Sequence, residues 1–102
     1  MASPVTRIGD YSIGEAPCFP PTPLIEDCSP NVLVNGRAVG RLGSGFEPHT
    51  STCLRPQITH KIRVVSSASN TVLVNNRFIA RQGDDISCGD VIAEGSSNVL
   101  AG

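Results

Sequence analysis

The stretch Ser29-Pro30-Asn31-Val32-Leu33-Val34-Asn35-Gly36-Arg37 recurs later in the chain as Ser69-Asn70-Thr71-Val72-Leu73-Val74-Asn75-Asn76-Arg77. The match continues in register, with Arg41-Leu42-Gly43-Ser44 meeting Arg81-Gln82-Gly83-Asp84. A third copy is split between the chain ends. Its front half is Ser96-Ser97-Asn98-Val99-Leu100-Ala101, and its back half is Pro4-Val5-Thr6-Arg7-Ile8-Gly9-Asp10. Repetition at a fixed period is read before any single element, because each copy is one supersecondary unit. If the chain ends meet, the two halves complete a third unit. Three equivalent units in a closed ring then give one chain a pseudo-three-fold axis.

Each full unit reads as a β-hairpin. Val32-Leu33-Val34 and Val72-Leu73-Val74 are short runs rich in β-branched residues. Asn35-Gly36 is a two-residue turn signal of the type I′ class, since both positions accept positive φ, and Asn75-Asn76 is a weaker version of it. The return strands run from Arg37 to Leu42 and from Arg77 to Gln82. The Gly-Asp or Gly-Ser that follows ends the strand and starts a loop. The expected architecture is all-β: a ring of hairpins whose loops leave from one end and converge on the axis.

Composition agrees with short strands and many turns. Among 102 residues the aromatic content is 4 %, there is no Trp, and Gly and Pro number 10 and 8. Such a chain disfavours long helices and reads as one domain over residues 1–102. A chain of this length buries a thin core, so a metal, disulfides or a partner is expected to contribute to stability. The net charge of −1, with no basic run and few aromatics for stacking, argues against nucleic acid. No apolar run is long enough to span a membrane, and Met1–Asp10 has no apolar core of a signal peptide.

Three segments leave the Gly-Asp positions and return to the next hairpin: Tyr11 to Cys28, Gly45 to Ala68, and Asp85 to Gly95. The first carries Cys18-Phe19-Pro20-Pro21-Thr22-Pro23, whose prolines stiffen it into an expected rigid flap. The second includes the alternating strand Lys61-Ile62-Arg63-Val64-Val65. Each loop supplies a metal-type donor. Two Cys and two His suit a tetrahedral Zn²⁺, with iron as an alternative, and the expected ligands are Cys18, His49, His60 and Cys88. Cys53 competes for a place in this set, being four residues past His49. Cys28 directly precedes the hairpin and is expected to pack as a small hydrophobe. The same four cysteines also admit two disulfides, in any of three connectivities.

Taken together, the S-P-N-V-x-V-N-G front half and the P-A-A-R-x-G-D back half resemble the PAAR-repeat family, the tip proteins of phage tail spikes and type VI secretion spikes. The four PAAR letters fall on Pro4-Val5-Thr6-Arg7, Ala38-Val39-Gly40-Arg41 and Phe78-Ile79-Ala80-Arg81. The Arg is kept three times and the Pro once. Gly-Asp is intact at Gly9-Asp10 and Gly83-Asp84 and becomes Gly43-Ser44 in the middle unit. The resemblance implies a β pyramid whose triangular base binds the blunt end of a trimeric β-helical spike, a phage central spike or a VgrG-like protein, one tip per trimer. It also implies a metal near the vertex held by His and Cys.

The function expected from this is mechanical. The protein would be the structural tip of a membrane-piercing central spike, crossing a membrane transiently without spanning it. Val32, Leu33, Val72, Leu73, Val99 and Leu100 are the expected docking face. A chain that ends soon after the third hairpin begins carries no appended effector, which favours a plain tip and a phage tail baseplate over a type VI apparatus. The alternative is a small secreted binding module stapled by disulfides. Catalysis is not expected. A nucleophile pair could be drawn from Cys53 with His49 or His60, and Asp84 and Asp85 could serve as acids. A metal with four protein ligands, however, leaves no position for a reacting water.

Overall fold

The computed structural model describes residues 2–14 and 18–102; Met1 and the part of the first loop formed by Glu15, Ala16 and Pro17 lie outside the described residues. Among the described residues there is no helix, and the strands are short. They are β1 (Ser3–Pro4), β2 (Ser12–Ile13), β3 (Leu24–Glu26), β4 (Leu33–Val34), β5 (Arg37–Ala38) and β6 (Gly45–Phe46), followed by β7 (His49–Thr50), β8 (Thr59–His60), β9 (Leu73–Val74), β10 (Arg77–Phe78), β11 (Val91–Ile92) and β12 (Leu100–Ala101). The all-β expectation holds.

Three equivalent pairs make the base. β4 pairs with β5 and β9 with β10 across two-residue turns, while β12 pairs with β1 and so joins the two chain ends. In register, Leu33↔Ala38, Leu73↔Phe78 and Leu100↔Pro4 occupy the same place. The turns are of the mirror-image type that the right-handed strand twist favours. Both central residues have positive φ, 55° and 77° at Asn35-Gly36, 52° and 65° at Asn75-Asn76. Asparagine tolerates this region better than other side-chain-bearing residues, which is why the second turn forms without a glycine.

The units are tied into a ring by bonds that repeat cyclically. Val5 bridges Arg81, Val39 bridges Arg7, and Ile79 bridges Arg41. Inside this, the amide of Thr6 donates to Ala80 O at 3.0 Å, that of Ala80 to Gly40 O at 3.0 Å, and that of Gly40 to Thr6 O at 2.9 Å. A closed triangle of backbone hydrogen bonds thus surrounds the axis. A second triangle runs Ile8→Ala38, Leu42→Phe78 and Gln82→Pro4, each 2.8 Å. Small side chains are required at the innermost triangle: a Cβ added to Gly40 would stand 2.8 Å from Leu24 Cδ2. The base core is itself three-fold, built from Val5, Val39 and Ile79 with Val34, Val74 and Ala101.

Each repeat opens on the same local bond. Ser29, Ser69 and Ser96 are buried, and each hydroxyl accepts from the amide three residues on, at Val32, Val72 and Val99, all at 2.9 Å. Serine, which competes well for local backbone donors, starts the strand in all three copies. Each return strand closes on an arginine clamp. Arg7 and Arg81 pair with the carboxylates three residues later, Asp10 and Asp84, at 3.0 and 2.9 Å. In the middle unit Ser44 stands where the carboxylate should be, and Asp27 supplies it instead. Arg41 Nη2 reaches Asp27 Oδ1 at 3.1 Å, and Ser44 Oγ donates to the Asp27 carbonyl at 2.8 Å. Arg77 adds to the same carboxylate at 2.8 Å and, as its main partner, lowers the Asp27 pKa from 3.8 to about 2. That value already includes a smaller lowering by Arg41 and the opposing effect of desolvation.

Beyond the arginines, the loops build a second tier. Within loops, Tyr11 bridges Pro23, Gly45 bridges Val64, and Asp85 bridges Val91. Between loops, β2 pairs with β11, β3 with β6, and Val65 bridges Ile86. Outgoing and returning segments therefore alternate around a closed ring of six. Its interior is the second core, Leu24, Phe46, Val65, Ala80, Ile86 and Ile92, with Cys28 packed against it. Burial raises the Cys28 thiol pKa. This residue is the small hydrophobe expected from the sequence. The molecule extends 41 × 25 × 22 Å, its two short dimensions nearly equal.

Candidate metal centre

Above the second tier the symmetry ends, because the loops differ in length. The second loop projects a hairpin of its own, β7 with β8, in which His49 lies directly opposite His60. Opposed residues of an antiparallel pair share a face with their Cβ atoms about 5 Å apart, so the two imidazoles meet. His49 Nε2 lies 3.1 Å from His60 Nδ1. The other ring nitrogen of His49, Nδ1, lies 3.1 Å from the carbonyl of Pro20. A carbonyl can only accept, so Nδ1 carries the proton there and Nε2 turns a lone pair toward His60. Bonds of this kind fix the tautomer and orientation of a metal-ligating histidine.

The proline-rich first loop acts as a flap over these rings. Phe19 stacks on His60 with centroids 4.5 Å apart and planes 5° from parallel, and it meets His49 at 4.6 Å. The third loop contributes Cys88 from the tight turn between Ile86 and Asp90, closed by Gly89 N to Ile86 O at 2.9 Å and Ile86 N to Asp90 O at 2.8 Å. Donor atoms of His49, His60 and Cys88 all lie within 4.8 Å of one another. At a tetrahedral Zn²⁺, with bonds of about 2.0–2.3 Å, neighbouring donors stand about 3.3–3.6 Å apart. The three residues fit one ion in chemistry, two borderline nitrogens and a soft sulfur, and they are close to the spacing it needs.

Three of the four ligands expected from the sequence are thus brought together, from the second and third loops. Cys18 is placed differently, in a disulfide with Cys53. This bond joins the first loop to the second, and Thr52 reinforces it through N and Oγ1 to the Cys18 carbonyl, at 2.7 and 3.1 Å. Cys28 and Cys88 are free thiols. Cys53, the expected competitor for a place in the ligand set, is instead bonded to Cys18.

Under this cluster sits a residue to which the sequence reading gave no role. Arg63 is 1 % exposed, and all five of its side-chain N–H groups have acceptors. Nε donates to Cys88 Sγ at 3.3 Å, Nη1 to Thr22 Oγ1 and to Glu47 O at 2.8 Å, and Nη2 to Ser12 Oγ at 2.9 Å and Asp90 Oδ2 at 2.7 Å. Phe46 lies under the guanidinium, 5.8 Å from its centre. The partners come from all three loops, so this one cation gathers the apex and aims the Cys88 sulfur. The alternation Lys61-Ile62-Arg63-Val64-Val65 reads equally well in either direction, and the structure selects the face holding Arg63 and Val65. Ile62 is left 79 % exposed. The signal available in sequence was the set of small polar residues, Ser12 and Thr22, at inward positions of a loop with few hydrophobes.

Residues 55–102 match the family model described as the PAAR motif. This part of the chain carries the PAAR motif. The matched span holds the second full repeat, the third loop and the front half of the split copy. The first repeat joins the same ring through the cyclic bridges. No curated protein matches the chain. The PAAR motif points to a spike-tip role in contractile injection systems; PAAR proteins cap a spike, generally bind metal, and form a structural family, not a family of enzymes. Among the described residues, His49, His60 and Cys88 form a group that could hold a metal ion.

Proposed function

We propose that this protein is the tip of the membrane-piercing central spike of a phage tail baseplate, with the whole chain, residues 1–102, forming one domain that caps one trimeric β-helical spike. The observation that carries the reading is the cyclic closure of three units within a single chain. A trimer presents three identical surfaces around an axis, and one chain engages all three equally only if it repeats its own surface three times. Leu33, Leu73 and Leu100 occupy equivalent positions and are 61, 57 and 57 % exposed, while their strand neighbours Val34, Val74 and Ala101 are buried. With Val32, Val72 and Val99 they offer an apolar docking face of the kind that marks an interaction site.

The metal of this reading is zinc, with iron as the alternative, held by His49, His60 and Cys88 and by Cys18 once its bond to Cys53 is reduced. A bound ion would supply a crosslink between the second and third loops above the core that the loops share. Four protein ligands leave no position for a reacting water, so the role is structural and the protein is not an enzyme. Two rings of backbone hydrogen bonds, the buried Arg63 and the crosslinked loops together make a point that does not splay under axial load.

Mixing the protein with a trimeric spike and measuring the mass of the complex by light scattering tests the reading. One chain per three spike subunits is expected, and replacing Leu33, Leu73 and Leu100 together by Asp should abolish the complex. One chain per spike subunit contradicts the three-fold docking. Immunogold labelling of purified tails distinguishes the machines: label at the tail tip supports the phage assignment, and labelling confined to a secretion apparatus overturns it.

A further inference from the structure

Two of the three equivalent arginine clamps at the ring receive a second arginine from a neighbouring unit. Arg37 Nη2 donates to Asp10 Oδ1 at 2.9 Å, beside the bond from Arg7 Nη2 to the same oxygen at 3.1 Å. Its Nη1 lies against Gly9, 3.2 Å from where a Cβ would stand. Arg77 repeats this. It donates to both oxygens of Asp27, at 2.8 and 2.9 Å, and its Nη1 lies 3.2 Å from a Cβ built on Gly43. The cyclic register assigns the third place to Ser3, which faces Ala101 as Arg37 faces Val34 and Arg77 faces Val74.

Serine is too short to fill it. A Cβ built on Gly83, the equivalent of Gly9 and Gly43, meets nothing within 4 Å. A groove of about 580 Å³ opens at this place, lined by Ser3, Pro4, Ile13, Gln82, Gly83 and Ile92. The carboxylate of Asp84, with 8 % of its side chain exposed, accepts from Arg81 alone among the described residues. Oδ2 takes Arg81 N at 2.8 Å and Nε at 3.1 Å, and Oδ1 takes only Nη2 at 2.9 Å. The oxygen that holds two guanidinium donors in Asp10 therefore holds one in Asp84.

We propose that the groove beside Gly83 is a socket for an arginine side chain of a protein partner, which completes the third clamp by pairing with Asp84 Oδ1 as Arg37 pairs with Asp10. The chemistry favours a guanidinium, because a planar fork fits between a carboxylate and a glycine backbone as it does twice already in this chain. Ile13 and Ile92 provide apolar walls for the arginine stem. Only one of the three places is open, so the socket takes a single copy of its partner per tip. The other two places are blocked by Arg37 and Arg77, which would repel a second and third arginine.

Amide NMR titration with Nα-acetyl-arginine amide at low ionic strength tests this. Saturable shifts confined to Ser3, Gln82, Gly83 and Asp84 are expected, with a Kd on the order of millimolar, as befits one charged pair. The neutral isostere Nα-acetyl-citrulline amide and the lysine analogue should each bind at least about fivefold more weakly, a difference of about 1 kcal/mol. Ser3→Arg should fill the socket from within and abolish the shifts. Equal shifts with citrulline or lysine, shifts equally large at Gly9 and Gly43, or an unchanged titration in folded Ser3→Arg protein would each overturn the proposal. Asp84→Asn, if it folds, should reduce arginine binding to the citrulline level, and undiminished binding there counts against it equally.

Discussion

At the base, each residue does the same thing three times: Val5, Val39 and Ile79 fill one core, and Thr6, Gly40 and Ala80 close one ring of backbone bonds. At the apex, among the described residues, the side chains that hold the loops have no such equivalents. One arginine, one pair of histidines, one free cysteine near them and one disulfide hold three loops of different length. The base is stabilised by regular burial and by hydrogen bonds that need no particular side chain. The apex has little apolar surface to bury, and polar side chains and sulfur chemistry hold it instead. A repeated structure tolerates a missing member, as when Asp27 stands in for the carboxylate absent at Ser44. A structure of unique parts has no such reserve.

Substitutions should separate the two regions. The largest effect is expected at the apex. Arg63→Met removes the guanidinium from a buried ion pair with Asp90, and removing one member of such a pair costs about 3–5 kcal/mol, measurable by chemical denaturation. At the base, Ile79→Ala truncates one of the six side chains of the base core and should cost about 2–4 kcal/mol. If Arg63→Met proved nearly neutral while Ile79→Ala unfolded the chain, the apex would be an appendage and not a built structure. A smaller effect, of opposite sign, is expected at the weaker turn. Asn76 has φ 65°, and Asn76→Gly should stabilise by roughly 0.5 kcal/mol, making the second hairpin more like the first.

The smallest effect is a pH limb. The Asp27 pKa falls from 3.8 in the free group to about 2 beside Arg77 and Arg41. A depressed carboxylate stabilises fully above its unfolded pKa, so this contribution is present above about pH 4 and is lost as the pH falls toward 2. The carboxylate is half exposed and the pair is screened by salt, which keeps the contribution small. Stability measured from pH 5 to 2 should decline less steeply in Asp27→Asn than in the parent, and equal slopes would remove Asp27 as the substitute clamp.

The same contrast explains what could be read from the sequence. The base was legible because a repeat shows three equivalent strands, two turn dipeptides and the split copy that joins the termini. The PAAR letters add the arginine clamps. The substitution at Ser44 was visible as a departure, but its repair by Asp27 was not, since Asp27 lies outside the repeat and reaches the clamp only through a left-handed residue at φ 57°. At the apex, His49 and His60 were legible as donors in one loop, and Cys88 as the donor of another. Their convergence depends on the hairpin register of β7 and β8 and on the height of the third loop's turn. Arg63 was not legible, because a charged residue inside an alternating run is ordinarily the outward one. Cys18 and Cys53 were candidates for the same role, and nothing in their spacing tells a pair of ligands from a bond.

The contrast between a self-sufficient base and a stapled apex is tested most directly by residue-resolved amide hydrogen exchange before and after the protein is treated with a chelator and a thiol reductant together. The account predicts that Thr6, Gly40 and Ala80 keep their protection while Ser51, Thr52 and Gly89, whose amides bond within the apex, lose it by at least about tenfold. A loss spread equally over both sets, or confined to the base, would contradict it.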